Sequence, residues 1–465
     1  MKFNKNVLQY DLNNSYKILI NTLTGAIDVA PVQLLNNINI KNSQLLEERG
    51  YFDIENKEKL MNNIYKLYKN KNENIPYWFY ITLTYKCNFA CPICYERTKL
   101  TKEDIDTNIL DKILLDIRRF QKERKIPNER MNIILFGGEP LCVEDIGKVS
   151  RILEFCKSNG MKAIIVTNGS RVNKNVNIFN NYSEQISQFR ITIDGPKETH
   201  DIRRPYIGGQ SSYDDVINAI KILLKNGHSV KVQTIVGRGN IDKLEEIINI
   251  FTEEKFLDFP KFSWRLEASH DYNNLDENNC DEITEGKIVC KIIDLYNKNP
   301  ELRHQIKFES FKYLGHITDS FGWMGKYKTY SGAKFSFCEP QKGYHYIYSL
   351  EGGIYHCPVS VKNENFYVGD VDNNPKYKIN NFCKTRTILN DEKCYKCKFN
   401  TLCGGGCIVQ KRNHKKFNCQ GYANHIISEF IDKMKEEILS VAKADEIISI
   451  NIPWVTINPK GHLQK

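Results

Sequence analysis

Long apolar stretches are missing from this 465-residue chain. No run approaches the roughly 18 apolar residues that a membrane-spanning helix requires, so the sequence predicts no membrane span. The first residues lead directly into polar sequence and lack the apolar core of a secretion signal. Lys and Arg number 66 against 56 Asp and Glu, and the net charge of +10 is spread without a long basic block. The sequence therefore favours a cytoplasmic protein that binds neither a membrane nor nucleic acid.

Cysteine is abundant, with 15 residues. In a reducing cytoplasm this number indicates metal ions or iron–sulfur clusters, because disulfides are rare there. Cys87, Cys91 and Cys94 form a CxxxCxxC pattern directly after an apolar, strand-like run. Three thiolates on one short loop can each bind one iron of a cubane [4Fe–4S] cluster, which leaves the fourth iron open to another ligand. Zinc, or a disulfide with one spare thiol, is the alternative interpretation, and the cluster is favoured.

From Tyr77 onward, short apolar strands alternate with amphipathic helices. This alternation predicts a parallel sheet flanked by helices. About six strand–helix units suggest an open barrel, and the active sites of such sheets lie at the carboxyl ends of the strands. The predicted strands are residues 78–84, 132–136, 162–167, 189–193, 229–236 and 261–265, and the predicted helices are residues 102–122, 144–158, 212–226 and 242–254.

Distinctive turns follow three of these strands, at the edge where the cysteine loop is also expected. Paired glycines allow a ligand to approach the backbone closely, although each turn alone could be an ordinary loop. Their shared position at one edge favours a functional interpretation. The turns contain Gly137, Gly138, Glu139 and Pro140 after the second strand, Asn168 after the third strand and Asp194 after the fourth strand.

The cysteine pattern, with Tyr95 directly after it, and the Gly-Gly-Glu-Pro turn resemble motifs of the radical S-adenosylmethionine (SAM) superfamily. The resemblance covers about residues 77–300 and implies a partial (β/α)6 TIM-like barrel. It implies that the three cysteines hold a [4Fe–4S] cluster whose open iron chelates the methionine end of SAM, beside the turn at residues 137–140. An electron from this cluster, delivered by a donor such as flavodoxin or ferredoxin, would cleave SAM to a 5′-deoxyadenosyl radical that abstracts hydrogen from carbon.

Residues 194–204, DGPKETHDIRR, resemble a stretch found in radical SAM enzymes that modify peptides and proteins. By this match Arg204 is a candidate for holding SAM or substrate. Asn168 and Asp194 join the expected SAM site because they follow strands at the same edge. His200 and Asp201 are better explained as the polar start of a helix.

Seven further cysteines lie in the C-terminal third of the chain. Four of them, within residues 394–407, could form one zinc site of the ribbon type. That site would leave three cysteines unexplained, so two clusters with four and three protein ligands account for the set better. The cysteines are Cys338, Cys357, Cys394, Cys397, Cys403, Cys407 and Cys419.

The spacing of these cysteines resembles the SPASM extension of radical SAM enzymes, which binds two auxiliary [4Fe–4S] clusters, making three clusters in all. No cysteine lies between Cys290 and Cys338 to complete the first auxiliary cluster, so one of its irons would be open to a substrate thiolate. Cys280 or Cys383 as the missing ligand is the alternative. The resemblance assigns Cys338, Cys357 and Cys407 to the first auxiliary cluster and Cys394, Cys397, Cys403 and Cys419 to the second.

Residues 1–76 are predicted to form a small domain. Two strand-like stretches followed by three helical stretches resemble the winged-helix element with which many peptide-modifying enzymes recognise peptides. A structural cap on the next domain is the alternative. The expected organisation is a winged-helix-like domain (1–76), the barrel (77–305), a bridge (306–335), the SPASM domain (336–442) and a C-terminal tail (443–465).

These resemblances imply an enzyme that modifies a ribosomal precursor peptide, with the leader of that peptide held by residues 1–76. A substrate cysteine on the open auxiliary iron would favour a thioether cross-link. A sulfatase-maturing, formylglycine-generating enzyme is the second choice, because such enzymes usually have an aspartate where this chain has Pro358, directly after Cys357. Carbon–carbon cross-linking of a peptide is a third possible reaction. Outside enzymes, the cysteine spacing would also suit a zinc-ribbon binding module.

Overall fold

In a computed structural model, the residues that the structure describes form two β-sheets. The smaller sheet has four strands and the larger sheet has ten. Of the predicted bridge, residues 309–312 and 323–331 lie outside the described residues. The structure describes residues 2–72, 74–97, 99–270, 281–302, 306–308, 313–322, 332–373, 387–409, 419–455 and 457.

The smaller sheet combines N-terminal strands with one strand from the predicted C-terminal tail. All its pairs are antiparallel, in the order β1 (Val7–Asp11), β2 (Tyr16–Asn21), β3 (Ile27–Pro31) and β14 (Ile448–Ser449). The sequence predicted β2 and β3 and missed β1 and β14. Three helices follow β3 in the chain, as predicted, and they are α1 (Val32–Asn36), α2 (Ile40–Glu48) and α3 (Lys57–Asn72).

Six parallel strands form the centre of the larger sheet. Each strand pairs with the next one along the chain, so their carboxyl ends meet at one edge of the sheet. This arrangement confirms the predicted partial (β/α)6 barrel. The strands are β4 (Tyr77–Thr84), β5 (Met131–Gly137), β6 (Lys162–Thr167), β7 (Ile186–Thr192), β8 (Val230–Val236) and β9 (Phe262–Ala268).

Helices connect the parallel strands. The helix predicted to begin at Lys102 begins at Thr107, because the Asp106 side chain accepts hydrogen bonds from the backbone N–H groups of Asn108 and Ile109. The sequence missed α6. It placed the polar start of a helix at His200 and Asp201, but both lie inside α7, and His200 is fully buried. The connecting helices are α4 (Thr107–Arg124), α5 (Gly147–Asn159), α6 (Val172–Asn181), α7 (Lys197–Arg203), α8 (Tyr213–Lys225) and α9 (Leu244–Glu253).

Later residues extend the larger sheet on both sides. β10 (Ile306–Phe308) pairs with β9, whereas β11 (His345–Tyr348) pairs in parallel with β4 on the opposite side. β12 (Gly353–Tyr355) and β13 (Tyr367–Asp370) continue the sheet with antiparallel pairs. The residues expected for the SPASM domain are therefore continuous with the barrel, and β4 is an interior strand.

The remaining helices pack outside this sheet. The Cys290 thiol on α10 donates to the backbone oxygen of Glu429 on α14 at 3.6 Å, so Cys290 is part of helix packing. No helix in the described part of the chain has the length and apolar character needed to cross a bilayer. These helices are α10 (Glu285–Lys298), α11 (Gly315–Ser320), α12 (Glu392–Lys396), α13 (Asn400–Cys403) and α14 (Cys419–Ser440).

Phe79 joins β4 to its neighbours. Its buried ring lies 5.3 Å from the ring centroid of Phe120 on α4 and 5.3 Å from that of Tyr346 on β11. Phe79→Ala leaves a cavity, and we expect it to lower the free energy of unfolding by about 3–5 kcal/mol. Thermal denaturation should show a clear fall for this variant and little change for Leu115→Ala, whose side chain on α4 is 65% exposed. Equal melting temperatures of the two variants would contradict this packing role.

Candidate active site

The loop after β4 carries three cysteines at the carboxyl edge of the parallel sheet. Cys87, Cys91 and Cys94 are partly buried within it. The backbone N–H of Phe89 donates to the Cys87 sulfur at 3.5 Å, and Nη1 of Arg204 lies 4.0 Å from the Cys91 sulfur. These donors favour negative charge on the sulfurs, as iron-bound thiolates require.

Burial raises the pKa of each of the three thiols, and that of Cys94 to about 11. The neighbouring sulfurs of Cys91 and Cys94 add to the rise at Cys87. The positive charge of bound iron would compensate for both effects and keep the ligands as thiolates. Three adjacent thiols with N–H and guanidinium donors beside them fit a [4Fe–4S] cluster that has three protein ligands.

The Gly-Gly turn after β5 lies against the cysteine loop. The N–H of Gly138 donates to the Thr84 oxygen at 2.9 Å, and the N–H of Glu139 donates to the Lys86 oxygen at 2.8 Å. A Cβ atom on Gly137 would lie 2.3 Å from the Thr84 oxygen, and one on Gly138 would lie 2.5 Å from the Lys86 oxygen. Gly137 also has a φ of +131°, which favours glycine. This close approach requires glycine at both positions.

The Glu139 carboxylate accepts its hydrogen bonds from groups of the protein itself. Its side chain accepts hydrogen bonds from the Thr167 hydroxyl at 2.8 Å, the Asn168 N–H at 2.6 Å and the Leu141 N–H at 3.0 Å. Burial raises the pKa of Glu139 to about 7, and the bonds from Asn168 and Thr167 act in the opposite direction. Glu139 therefore connects the ends of β5 and β6, and Pro140 is buried in the short 3-10 turn that follows.

Asn168 connects the end of β6 to the cysteine loop. Its Nδ2 donates to Oδ1 of Asn88 at 2.8 Å, and its Oδ1 accepts from the Ser170 hydroxyl at 2.6 Å. Asn88 also donates to the Ser170 hydroxyl at 2.8 Å. Asn88 and Ser170 line a cavity of about 370 Å³ together with Arg171 and Tyr206. A cavity with a polar lining therefore lies beside the cysteine loop.

Asp194 is fully buried just after β7 and is neutralised by two arginines. Its Oδ2 accepts from Nε of Arg204 at 2.8 Å and lies 3.5 Å from Nε of Arg203, while its Oδ1 accepts from the Ile235 N–H at 2.8 Å. Burial raises the pKa of Asp194, but Arg204 and Arg203 outweigh it, and the pKa is lowered overall. Asp194 thus holds Arg204 beside Cys91, and the sequence did not identify Arg203.

The three cysteines that the resemblance assigns to the first auxiliary cluster lie near one another. Burial, followed by the neighbouring Cys338 and Cys407 thiols, raises the pKa of Cys357 to about 12. All three side chains are partly buried. Cys280 and Cys383, the alternative ligands, lie outside the described residues.

The cysteines assigned to the second auxiliary cluster lie on or next to three helices. Cys394 is on α12, Cys397 follows it, Cys403 ends α13 and Cys419 begins α14. The N–H of Phe399 donates to the Cys397 sulfur at 3.4 Å. Within the ranges that the structure describes, no three His, Cys, Asp or Glu side chains are grouped so as to hold a single metal ion.

Lys99 joins the cysteine loop to the segment after Cys357. Its Nζ donates to the backbone oxygens of Val359 at 2.8 Å and Pro358 at 3.4 Å. Burial lowers the pKa of Lys99, whereas nearby groups that include the Cys357 and Cys94 sulfurs raise it. The cysteine loop and the first auxiliary cysteine group therefore adjoin each other. No sequence pattern marked Lys99.

Polar side chains lie on the sheet face opposite the helices. The guanidinium of Arg190 lies 5.7 Å from the Trp78 ring centroid, and Arg265 pairs with Glu267, which also accepts from Gln233. The sequence patterns did not single out these residues. Parallel strands that are buried on both faces are usually apolar throughout, so polar residues at every second position of a strand could have indicated a polar inner face.

Glu139→Gln tests whether the carboxylate positions the turn after β5. Glutamine offers one acceptor oxygen and one NH₂ donor, so a donor would face another donor in this buried site. An unsatisfied buried group costs about 1–3 kcal/mol, and we expect a lower melting temperature and less bound iron. Glu144→Gln is the matched control, because the Glu144 side chain is 83% exposed. Indistinguishable melting temperatures for the two variants would argue against the positioning role.

The part of the chain that carries this site is similar to known proteins. A family model described as the Radical SAM superfamily matches residues 81–251. The cysteine-type anaerobic sulfatase-maturating enzyme of Clostridium novyi is 23% identical over 372 residues, which cover 77% of this chain and 94% of that enzyme. The serine-type enzyme of Bacteroides thetaiotaomicron is 23% identical over 400 residues, which cover 76% of this chain and 90% of that enzyme.

Two solved structures share the fold. anSMEcpe with bound AdoMet superposes with a TM-score of 0.60 at 18% identity, covering 79% of this chain and 98% of that protein. Streptococcus suis SuiB bound to the precursor peptide SuiA superposes with a TM-score of 0.53 at 14% identity, covering 89% of this chain and 97% of that protein. These similarities support the α/β core with its parallel sheet.

Proposed function

We propose that this chain is a peptide-maturing enzyme that uses SAM and three [4Fe–4S] clusters, because residues 81–251 match the family model of the radical SAM superfamily. It would transfer one hydrogen atom from a carbon of a ribosomally made precursor peptide to the 5′-deoxyadenosyl radical. A Cys thioether cross-link would then form at that carbon, with the thiol proton released to solvent and the second electron accepted by an auxiliary cluster. The observation that carries the proposal is the cysteine group Cys338, Cys357 and Cys407, which adjoins the first cysteine loop through Lys99.

Cys87, Cys91 and Cys94 would hold the first cluster, since their thiols and surrounding donors fit it. When bound, the cluster and SAM together supply a 5′-deoxyadenosyl radical. The protein itself positions the reactants and shields them from water. Gly137 and Gly138 contribute by letting the turn backbone lie directly against the cysteine loop.

Arg204 would neutralise negative charge at this site. Its guanidinium faces the Cys91 sulfur and is held there by Asp194. A guanidinium also binds carboxylates with paired hydrogen bonds, so Arg204 is a candidate contact for the carboxylate of SAM. Asn168 would act indirectly, because its side chain fixes Asn88 of the cysteine loop.

The auxiliary cysteines support thioether formation in particular. Three thiols are one fewer than the four irons of a cubane, so the first auxiliary cluster would have room for one further ligand. Thiolate is a soft ligand that iron–sulfur clusters prefer, and a substrate cysteine would supply it. The second auxiliary cluster would have a complete ligand set in Cys394, Cys397, Cys403 and Cys419.

Residues 1–76 would hold the leader of the precursor peptide. The superposition on SuiB, a protein solved with its precursor peptide, covers 89% of this chain, whereas that on anSMEcpe covers 79%. Within residues 1–76 the structure has three strands followed by three helices, and this order supports the proposed peptide-recognition element.

Sulfatase maturation is the second candidate function, because two sulfatase-maturating enzymes are 23% identical to this chain over most of their length. Against it stands Pro358, which occupies the position where such enzymes usually have an aspartate. Carbon–carbon cross-linking would need no open auxiliary iron. Analysis of the modified peptide distinguishes the three reactions. Thioether formation, sulfatase maturation and carbon–carbon cross-linking would give a thioether, an aldehyde and a carbon–carbon bond, which differ in mass and reactivity.

Cys91→Ala should abolish deoxyadenosine formation from SAM in the presence of a reductant, because the first cluster loses one of its three ligands. Chromatography of the reaction products measures the loss. Cys156→Ala is the matched control, since the Cys156 side chain is fully buried in the core of α5. Normal deoxyadenosine formation by Cys91→Ala would refute the assignment of the first cluster.

Metal analysis tests the number of clusters. We expect about twelve iron and twelve sulfide per chain for three cubanes, and about eight of each for Cys357→Ser if the first auxiliary cluster is lost. The Cys91→Ala variant serves as a comparison, because it should lose a different cluster. Zinc without sulfide in the wild-type protein would contradict the enzyme proposal and favour a zinc-ribbon module.

A further inference from the structure

The outer edge of β3 is covered by a segment from the predicted C-terminal tail, residues 447–455. Ser449 lies opposite Asp28 in the antiparallel register of β14 and β3. The N–H of Ile450 continues the pairing by donating to the Ile27 oxygen at 2.9 Å. Sheet edges of this kind recruit extended peptides by strand addition, because their backbone groups can bond any peptide backbone.

Asn451 binds the β3 edge beyond the paired residues. Its Oδ1 accepts from the Ile27 N–H at 2.9 Å, and its Nδ2 donates to the Gly25 oxygen at 2.8 Å. Nη1 of Arg49 donates to the Asn451 backbone oxygen at 3.0 Å. The domain therefore presents donors and acceptors that suit an amide side chain and a backbone carbonyl of an extended peptide.

Asp28 and Arg49, the buried charged residues beside this edge, neutralise each other without a charged group from the tail. Nε of Arg49 donates to Asp28 at 2.7 Å, and both side chains are buried. The Tyr51 hydroxyl also donates to Asp28, and Nη2 of Arg49 donates to the Ile27 oxygen at 3.1 Å. Departure of the tail would consequently leave the Asp28–Arg49 ion pair in place.

An aromatic pocket follows the strand edge. The Trp454 ring centroid lies 4.4 Å from that of His316, and its indole N–H donates to the Leu23 oxygen at 2.7 Å. A Cβ atom on Gly25 would lie 2.5 Å from the Trp454 ring, and Gly25 has a φ of +81°. Glycine at this position thus provides the space that the indole fills.

Exposed residues flank the anchors of this segment. Ile452, between Asn451 and Trp454, is 91% exposed, and most of residues 441–445, which connect the segment to α14, are exposed. β14 itself contains only two residues. Ile447 and Val455 of the segment are buried, and the Val455 N–H donates to the Thr24 oxygen at 3.3 Å. The segment therefore lies on the N-terminal domain as an extended peptide with exposed residues between its buried anchors.

We propose that residues 447–455 are a built-in strand that occupies the peptide-binding edge of the N-terminal domain and is displaced when a precursor leader binds. This inference rests on the proposed function of residues 1–76 in leader recognition. The expected leader is an extended peptide with an amide side chain, apolar residues before it and an aromatic residue three positions later, as in Ile450-Asn451-x-x-Trp454.

Competition by the tail weakens leader binding by mass action. If the tail covers the edge for about 99% of the time, the apparent Kd of a leader rises about 100-fold over its intrinsic value. A variant with a loosened tail should regain most of this factor. The tail would thus restrict modification to precursors that bind the edge well.

The test uses the full chain and a fluorescent synthetic peptide with the sequence of residues 446–457. Ile450→Pro removes the N–H that bonds to the Ile27 oxygen. The tail of this variant should therefore bind the β3 edge more weakly, and the labelled peptide should replace it more readily. We expect fluorescence anisotropy to show binding about tenfold tighter or more than to the wild type. Ile452→Ser is the matched control and should bind as the wild type does. Equal affinity of all three proteins, or binding by none, would overturn the proposal.

A second measurement covers the case in which Ile450→Pro does not fold. A protease site replaces the connecting residues 441–445, and the chain is cut only after folding. We expect the released segment to exchange with an excess of the labelled peptide on gel filtration; full retention would overturn the proposal. Deoxyadenosine formation is measured on the same samples. If the segment does not exchange but SAM cleavage is normal, the result contradicts the tail proposal alone. It does not contradict the proposed chemistry.

Discussion

Two backbone hydrogen bonds join the Gly-Gly turn after β5 to the end of β4. Gly138 and Glu139 donate to the oxygens of Thr84 and Lys86, so the turn and the cysteine loop are held as one unit. The Glu139 carboxylate extends this connection to the end of β6 through Asn168. The positions of the three thiols consequently depend on backbone packing between neighbouring strands, which is a rigid support for a functional site.

Buried charge is the second constraint on this edge of the sheet. A carboxylate such as Asp194 is costly to bury unless it is paired and hydrogen-bonded, and Arg203 and Arg204 meet that requirement. The same pairing aims Arg204 at Cys91, where it favours a thiolate. Asp194 and Arg204, two residues that the sequence analysis placed at the SAM site, therefore contact each other, and Asp194 positions Arg204.

The N-terminal domain is connected to the rest of the chain through distant residues. The Thr22 hydroxyl donates to the Lys398 oxygen at 2.6 Å, next to Cys397, and His316 bonds to the Gly25 oxygen at 2.7 Å. β14 adds a strand from the opposite end of the described chain. Peptide binding at the β3 edge would therefore change the contacts of the tail and of the segment that carries the auxiliary cysteines.

Local patterns in the sequence were enough to predict the six parallel strands, most of their helices, the CxxxCxxC loop and the paired glycines at the strand edge. Side-chain periodicity and turn residues encode these features within a few neighbouring positions. Three contacts became visible only in the folded structure. The Glu139 carboxylate accepts from the Asn168 N–H, Lys99 donates to the Val359 oxygen, and β14 pairs with β3. Each of these contacts joins residues far apart in the chain, and long-range pairing depends on the packing of whole elements, which local sequence patterns do not record.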